Sequence, residues 1–138
     1  MPGEAIDTVR AWHAALNDAD VERLLTLSTA DVEVGGPRGA GHGADLLRDW
    51  LARAAIHLEP GRIYGRAEVV VVEQTARWRA ADGRLAEPQP AATIFRVRNG
   101  RVSSVMRYAN IATALADAGF ESSDEHAPGR PLDRLGDV

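Results

Sequence analysis

Four histidines and no cysteine bound the side-chain chemistry of this 138-residue chain. Disulfides and thiolate nucleophiles are excluded. His13 is the candidate proton carrier near neutral pH. It sits in a run where Ile6, Val9, Trp12, His13 and Leu16 recur at three- and four-residue spacing, which predicts a helix over residues 4–17. Adjacent helix positions diverge by about 100°, so His13 and Trp12 share a pocket only if its mouth is wide. Tyr108 is the second titratable candidate and is normally protonated at neutral pH. A proton-transfer mechanism would use His13 as base, with Trp12 and Gln74 donating hydrogen bonds to a developing enolate oxygen. His42, His57 and His126 show no metal-ligand spacing with acids or with each other. The glycine-dense stretch from Gly35 to Gly43 lacks the ending of a phosphate loop, so no cofactor and no metal are expected.

The elements that must position these residues follow from periodicity. Asp20 is a plausible N-cap for a short helix carrying Val21, Leu24, Leu25 and Leu27. Asp31-Val32-Glu33-Val34 alternates as a strand, and the glycine run reads as a sharply bent loop before a helix over 45–55. Strands are predicted over 62–66, 69–79, 91–98 and 101–109, with Asn99-Gly100 as a hairpin turn. Period two puts Val70, Val72, Gln74, Ala76 and Trp78 on one apolar face, so the Gln74 amide points inward. An inward amide needs partners, either Thr93 or Tyr108 or a ligand. The same alternation pairs Thr93 with Phe95 and Val97, puts Met106 and Tyr108 inward, and turns Arg107 to the opposite face, where it could clamp an acid or pair with a neighbouring carboxylate. Ile111, Leu115 and Ala118 suggest a short closing helix ended by Gly119.

Composition fixes the class. The chain is 45% hydrophobic and 26% charged, enough for one globular domain over residues 1–120. Residues 121–138 are acidic and polar and read as a disordered tail. The net charge is −4, every basic residue is arginine, and no basic stripe marks a nucleic-acid binder. No apolar stretch is long enough to cross a bilayer, and the start lacks the pattern of a secretory signal, so a cytoplasmic protein without membrane contact is expected. Helices followed by an antiparallel meander make an α+β order, and a long twisted sheet beside a helix curls into a cone with a mouth.

Several motifs resemble the nuclear-transport-factor-two-like superfamily, which includes SnoaL-like and ketosteroid-isomerase-like proteins. They are Trp12-His13-Ala14-Ala15-Leu16-Asn17-Asp18-Ala19-Asp20, Asp31 to Val34, Gly43 to Trp50, and Phe95 to Val102 followed by Arg107-Tyr108-Ala109-Asn110. The resemblance spans about residues 4–120 and implies a cystatin-like α+β fold, a curled antiparallel sheet forming a cone closed by N-terminal helices. It also implies a homodimer across the sheet's outer face, for which Val69, Val71, Ile94 and Val105 supply an apolar set. A ketosteroid isomerase mechanism does not carry over. Trp12 stands at its tyrosine, Gly36 near its aspartate base and Thr93 near its protonated aspartate, so none of the three roles is kept. SnoaL-like cyclases place an acid or histidine inside the cone, and here no Asp or Glu falls on an inward face.

The resulting expectation is a cone pocket for a small, largely apolar ligand. Its lining is read as Trp12, Leu16, Trp50, Gln74, Trp78, Thr93, Phe95, Met106 and Tyr108, with His13 and Tyr108 as the catalytic candidates. An isomerase- or cyclase-like enzyme and a non-catalytic binding or dimeric interaction module are both open at this point. The second reading expects Gln74 and Tyr108 paired internally and His13 solvated.

Overall fold

Apolar residues recurring on one stripe make the first helix. α1 (Pro2–Asn17) turns Ala5, Ile6, Val9, Trp12, Ala15 and Leu16 into the core. Asp20 caps α2 (Val21–Thr26) by accepting the Arg23 amide, as its residue type predicts. A computed structural model describes residues 2–36, 39–80 and 82–126.

Seven strands follow: β1 (Ser28–Gly36), β2 (Gly39–His42), β3 (Ile56–Arg66), β4 (Val69–Trp78), β5 (Gln89–Arg98), β6 (Arg101–Tyr108) and β7 (Glu125–His126). They form one curled, unclosed sheet in the order β2-β1-β6-β5-β4-β3-β7. Neighbours are antiparallel except β1 and β6, which run parallel. The concave face packs on α1, α2 and α3 (Ala44–Ala54), and the main core lies between them. The fold is therefore the α+β cone the sequence predicts.

Three stretches differ from the sequence reading. The glycine run is a hairpin, with Gly35 opposite Ala40 and Gly36 opposite Gly39. A Cβ on Gly35 would sit 2.6 Å from the Gly39 carbonyl oxygen, so only glycine permits this close pairing. The third strand starts at Ile56 rather than Arg62, because a bulge between Pro60 and Ile63 absorbs its Pro-Gly step. Residues 121–126, expected within a loose tail, form a 3₁₀ turn (Ser122–Asp124) and the edge strand β7. Arg66 holds them through Asp124 and the Gly119 carbonyl, and it stacks on Phe120. The expected disorder of residues 127–138 lies outside the described residues.

The fourth difference decides the site. Val97 pairs with Val102, but Arg96 pairs with Ser104, so Ser103 is an extra residue in β6. One inserted residue reverses the facing of everything after it. Val105 and Arg107 therefore point into the cone, while Met106 and Tyr108 point out.

On the outer face α4 (Ile111–Ala118), capped by Asn110 and ended at Gly119, covers Tyr64, Val71, Ala92 and Ile94. The apolar set expected to be bare is thus divided: Val105 is inside, and Val71 and Ile94 are buried beneath the chain's own helix.

Candidate functional site

The deep interior of the cone is filled. Trp12 and Phe95 are both fully buried and meet edge to face with ring centroids 5.2 Å apart. The Trp12 indole donates to Ser28 Oγ at 3.2 Å, and that hydroxyl donates to the Leu24 carbonyl at 2.8 Å. The one N–H of Trp12 is therefore engaged and cannot serve an oxyanion.

His13 is buried, 2% exposed, rather than solvated. Its Nδ1 donates to the Val9 carbonyl at 2.8 Å, which fixes the tautomer and leaves Nε2 as an acceptor. Gln74 Nε2 donates to that nitrogen at 2.8 Å, and Gln74 Oε1 accepts the Thr93 hydroxyl at 2.8 Å. Burial pulls the His13 pKa from 6.5 down to about 4, against the opposing effects of the Val9 hydrogen bond and Glu59. His13 is a neutral, fully bonded imidazole with no lone pair toward solvent. The proton-transfer role expected of it has no geometric support, and Gln74 is spent on it and on Thr93. Tyr108, on the outer face, donates to Asp117 of α4, a contact that raises its pKa. It lies across the sheet from His13, so the two catalytic candidates are not brought together.

Space for a ligand lies nearer the mouth. A cavity of about 590 Å³ opens between β1, β6 and α3. Its apolar walls are Val34, Leu46, Trp50, Leu58 and Val105, and it reaches Thr93. Gly35, Gly36 and Gly39 line the β1–β2 side and contribute no side chain there. Of the expected lining, Trp50 and Thr93 border this cavity. Trp12, Leu16, Gln74 and Phe95 are packed behind it, while Met106 and Tyr108 are on the far side of the sheet.

Two arginines absent from the expected lining border the cavity. Arg53, exposed in the last turn of α3, and Arg107, half-buried on β6, both line the cavity. Arg107 lies over the Trp78 ring, its guanidinium carbon 5.9 Å from the centroid, and Trp78 reaches the site through this contact. Among the described residues neither arginine has a carboxylate partner, and no acid lines the cavity. Arg107 was expected on the outer face; the Ser103 bulge puts it inside, and among the described residues it has no carboxylate partner. A bulge leaves no mark in hydrophobic alternation, since Val102 and Val105 fit either parity as well as Met106 does.

A SnoaL-like domain model matches residues 9–105, the three helices and the sheet as far as β6. The chain belongs to the SnoaL-like family. No curated protein matches it. Among solved structures, TerC co-crystallised with polyporic acid is 20% identical with a TM-score of 0.68, covering 83% of this chain and 96% of that one. An NTF2-like protein of unknown function from Burkholderia pseudomallei K96243 is 25% identical with a TM-score of 0.65, covering 82% and 95%. A candidate polyketide cyclase from Xanthomonas campestris pv. campestris is 21% identical with a TM-score of 0.64, covering 83% and 96%. Likeness at this identity establishes the fold that this chain shares with them. The chemistry of this cone has to be argued from its own residues.

Proposed function

We propose that this SnoaL-like protein binds a small organic anion with a flat apolar body at the mouth of its cone. The carrying observation is Arg107, half-buried on the inner face and without a carboxylate among the described residues. A cation removed from bulk water and left without a counter-charge favours an incoming anion. Arg53 at the rim adds attraction, and Trp50, Leu46 and Leu58 supply apolar walls. The Arg107 guanidinium lies over the Trp78 ring, and its planar fork suits a carboxylate. That TerC was crystallised with an acid agrees with this choice.

The arrangement favours binding over proton transfer by a pocket side chain. His13 is sealed behind Gln74, and the polar groups that reach the cavity are Arg53, Arg107 and Thr93. Within an isomerase- or cyclase-like reaction, such a site would contribute stabilisation of a developing enolate by the positive charge of Arg107, with Arg53 adding to the field at the rim.

The test is a thermal-shift comparison of matched pairs, each an aryl carboxylate and its neutral carboxamide. A ligand that binds the native state raises Tm by mass action. The acids should raise Tm and the amides should not. Equal shifts, or a shift by the amides alone, would remove the anion from the reading.

A further inference from the structure

The inner face of β1 runs Val32, Val34, Gly36, and only the first two positions carry side chains. Alternation calls for a third inward apolar residue at position 36. The absence needs a reason, because glycine in a strand weakens it. Glycines elsewhere in this region have structural reasons. A Cβ on Gly35 would collide with Ala40 and the Gly39 carbonyl at 2.6 Å, and one on Gly41 would meet Leu46 at 2.7 Å. Gly39 and Gly43 have φ of 126° and 114°, which side chains resist. Gly36 has neither constraint. Its φ is outside the left-handed region, and a Cβ there would meet nothing nearer than the Arg107 backbone oxygen at 3.6 Å and Arg107 Cβ at 3.7 Å, ordinary contacts. A Cβ fits at this position at ordinary contact distances, and it would stand beside Arg107 where Gly36 lines the cavity.

We infer that Gly36 sizes the ligand: the bare strand admits a planar ring system wider than a single ring against the β1 backbone, with its acid group on Arg107. This rests on the anion-binding reading and adds a shape to it. The specificity-determining feature is a missing side chain in a cavity that Trp50 and Leu46 also line.

The test uses two probes, benzoate and 2-naphthoate, titrated calorimetrically into the full chain and into its Gly36→Ala and Gly36→Val variants. Wild type should bind naphthoate more tightly than benzoate, since the second ring buries more apolar surface. Gly36→Val should lose naphthoate affinity by about ten-fold or more while keeping most of its benzoate affinity, and Gly36→Ala should fall between. Both variants should melt at or above the wild-type temperature, because the strand gains a side chain without a clash. That opposite movement of stability and binding separates a ligand role from a structural one. Unchanged naphthoate affinity in Gly36→Val overturns the inference and leaves the anion reading standing. A Tm drop in both variants also overturns it, because position 36 would then be held by packing. Failure of wild type to bind either acid overturns the anion reading, and this inference with it.

Discussion

At the scale of single residues, His13 and Arg107 exchange the roles their neighbours in the sequence suggest. A histidine one position from a core tryptophan reads as a base within reach of a pocket, yet its two nitrogens are both bonded and its pKa is lowered to about 4 by burial. The consequence is a stability that depends on pH. In the unfolded chain His13 titrates near 6.5, so between 6.5 and 4 the unfolded state holds more protons. The His13 contribution is therefore complete above pH 6.5 and is lost as pH falls toward 4. Between pH 7 and pH 5 it should amount to about 2 kcal/mol of unfolding free energy. Urea titrations at the two pH values check this. His13→Gln, whose amide oxygen can accept the same Gln74 donation, should lose that part of the slope; an identical slope would mean that His13 is not the group responsible. A catalytic histidine would place its effect on rate, and this one places it on folding.

At the scale of elements, most of the architecture is legible in the sequence. The α1 stripe, the Asp20 cap, the Asn99-Gly100 hairpin and the Gly119 stop each carry local chemistry strong enough to act alone. The inward face of β4, including Gln74, is equally legible because no bulge interrupts β4 against β5. The site is less so. Period-two reading assumes an unbroken strand, and the extra residue at Ser103 reverses β6, which places Arg107 inside and Tyr108 outside. The glycine hairpin was hidden for a different reason: close backbone approach is a tertiary requirement, and in the sequence it looks like a loop. Its strictness is testable. Gly35→Ala should destabilise the fold by about 1–3 kcal/mol through overpacking against the Gly39 carbonyl and Ala40, measured by urea denaturation. A cost below about 0.5 kcal/mol, the range of ordinary surface changes, would show that the hairpin opens freely. Tyr108→Phe removes one exposed hydrogen bond to Asp117 and should cost about 1 kcal/mol or less without altering ligand affinity. A loss of affinity in that variant would return Tyr108 to the site.

At the scale of the molecule, the cone separates two functions of one sheet. Its deep half is closed by Trp12, Phe95 and the hydrogen-bonded His13–Gln74–Thr93 chain. Its outer half is left open between a glycine-lined hairpin and α3, with two arginines on the walls. Among the described residues no helix is long and apolar enough to cross a membrane. The outer face is covered by α4 and clasped through Arg66 to the segment that follows it, so the chain shields from within much of the apolar surface that suggested a partner. In the proposed reading the open half selects an anion through Arg107. It is tested most directly by calorimetric titration of 2-naphthoate into wild type and into Arg107→Met, a variant that keeps an unbranched apolar side chain and removes the charge. Arg107→Met should fold with an unchanged melting profile and bind about ten- to a hundred-fold more weakly, the loss expected for a charge-assisted contact. Equal affinity in the two proteins would contradict it.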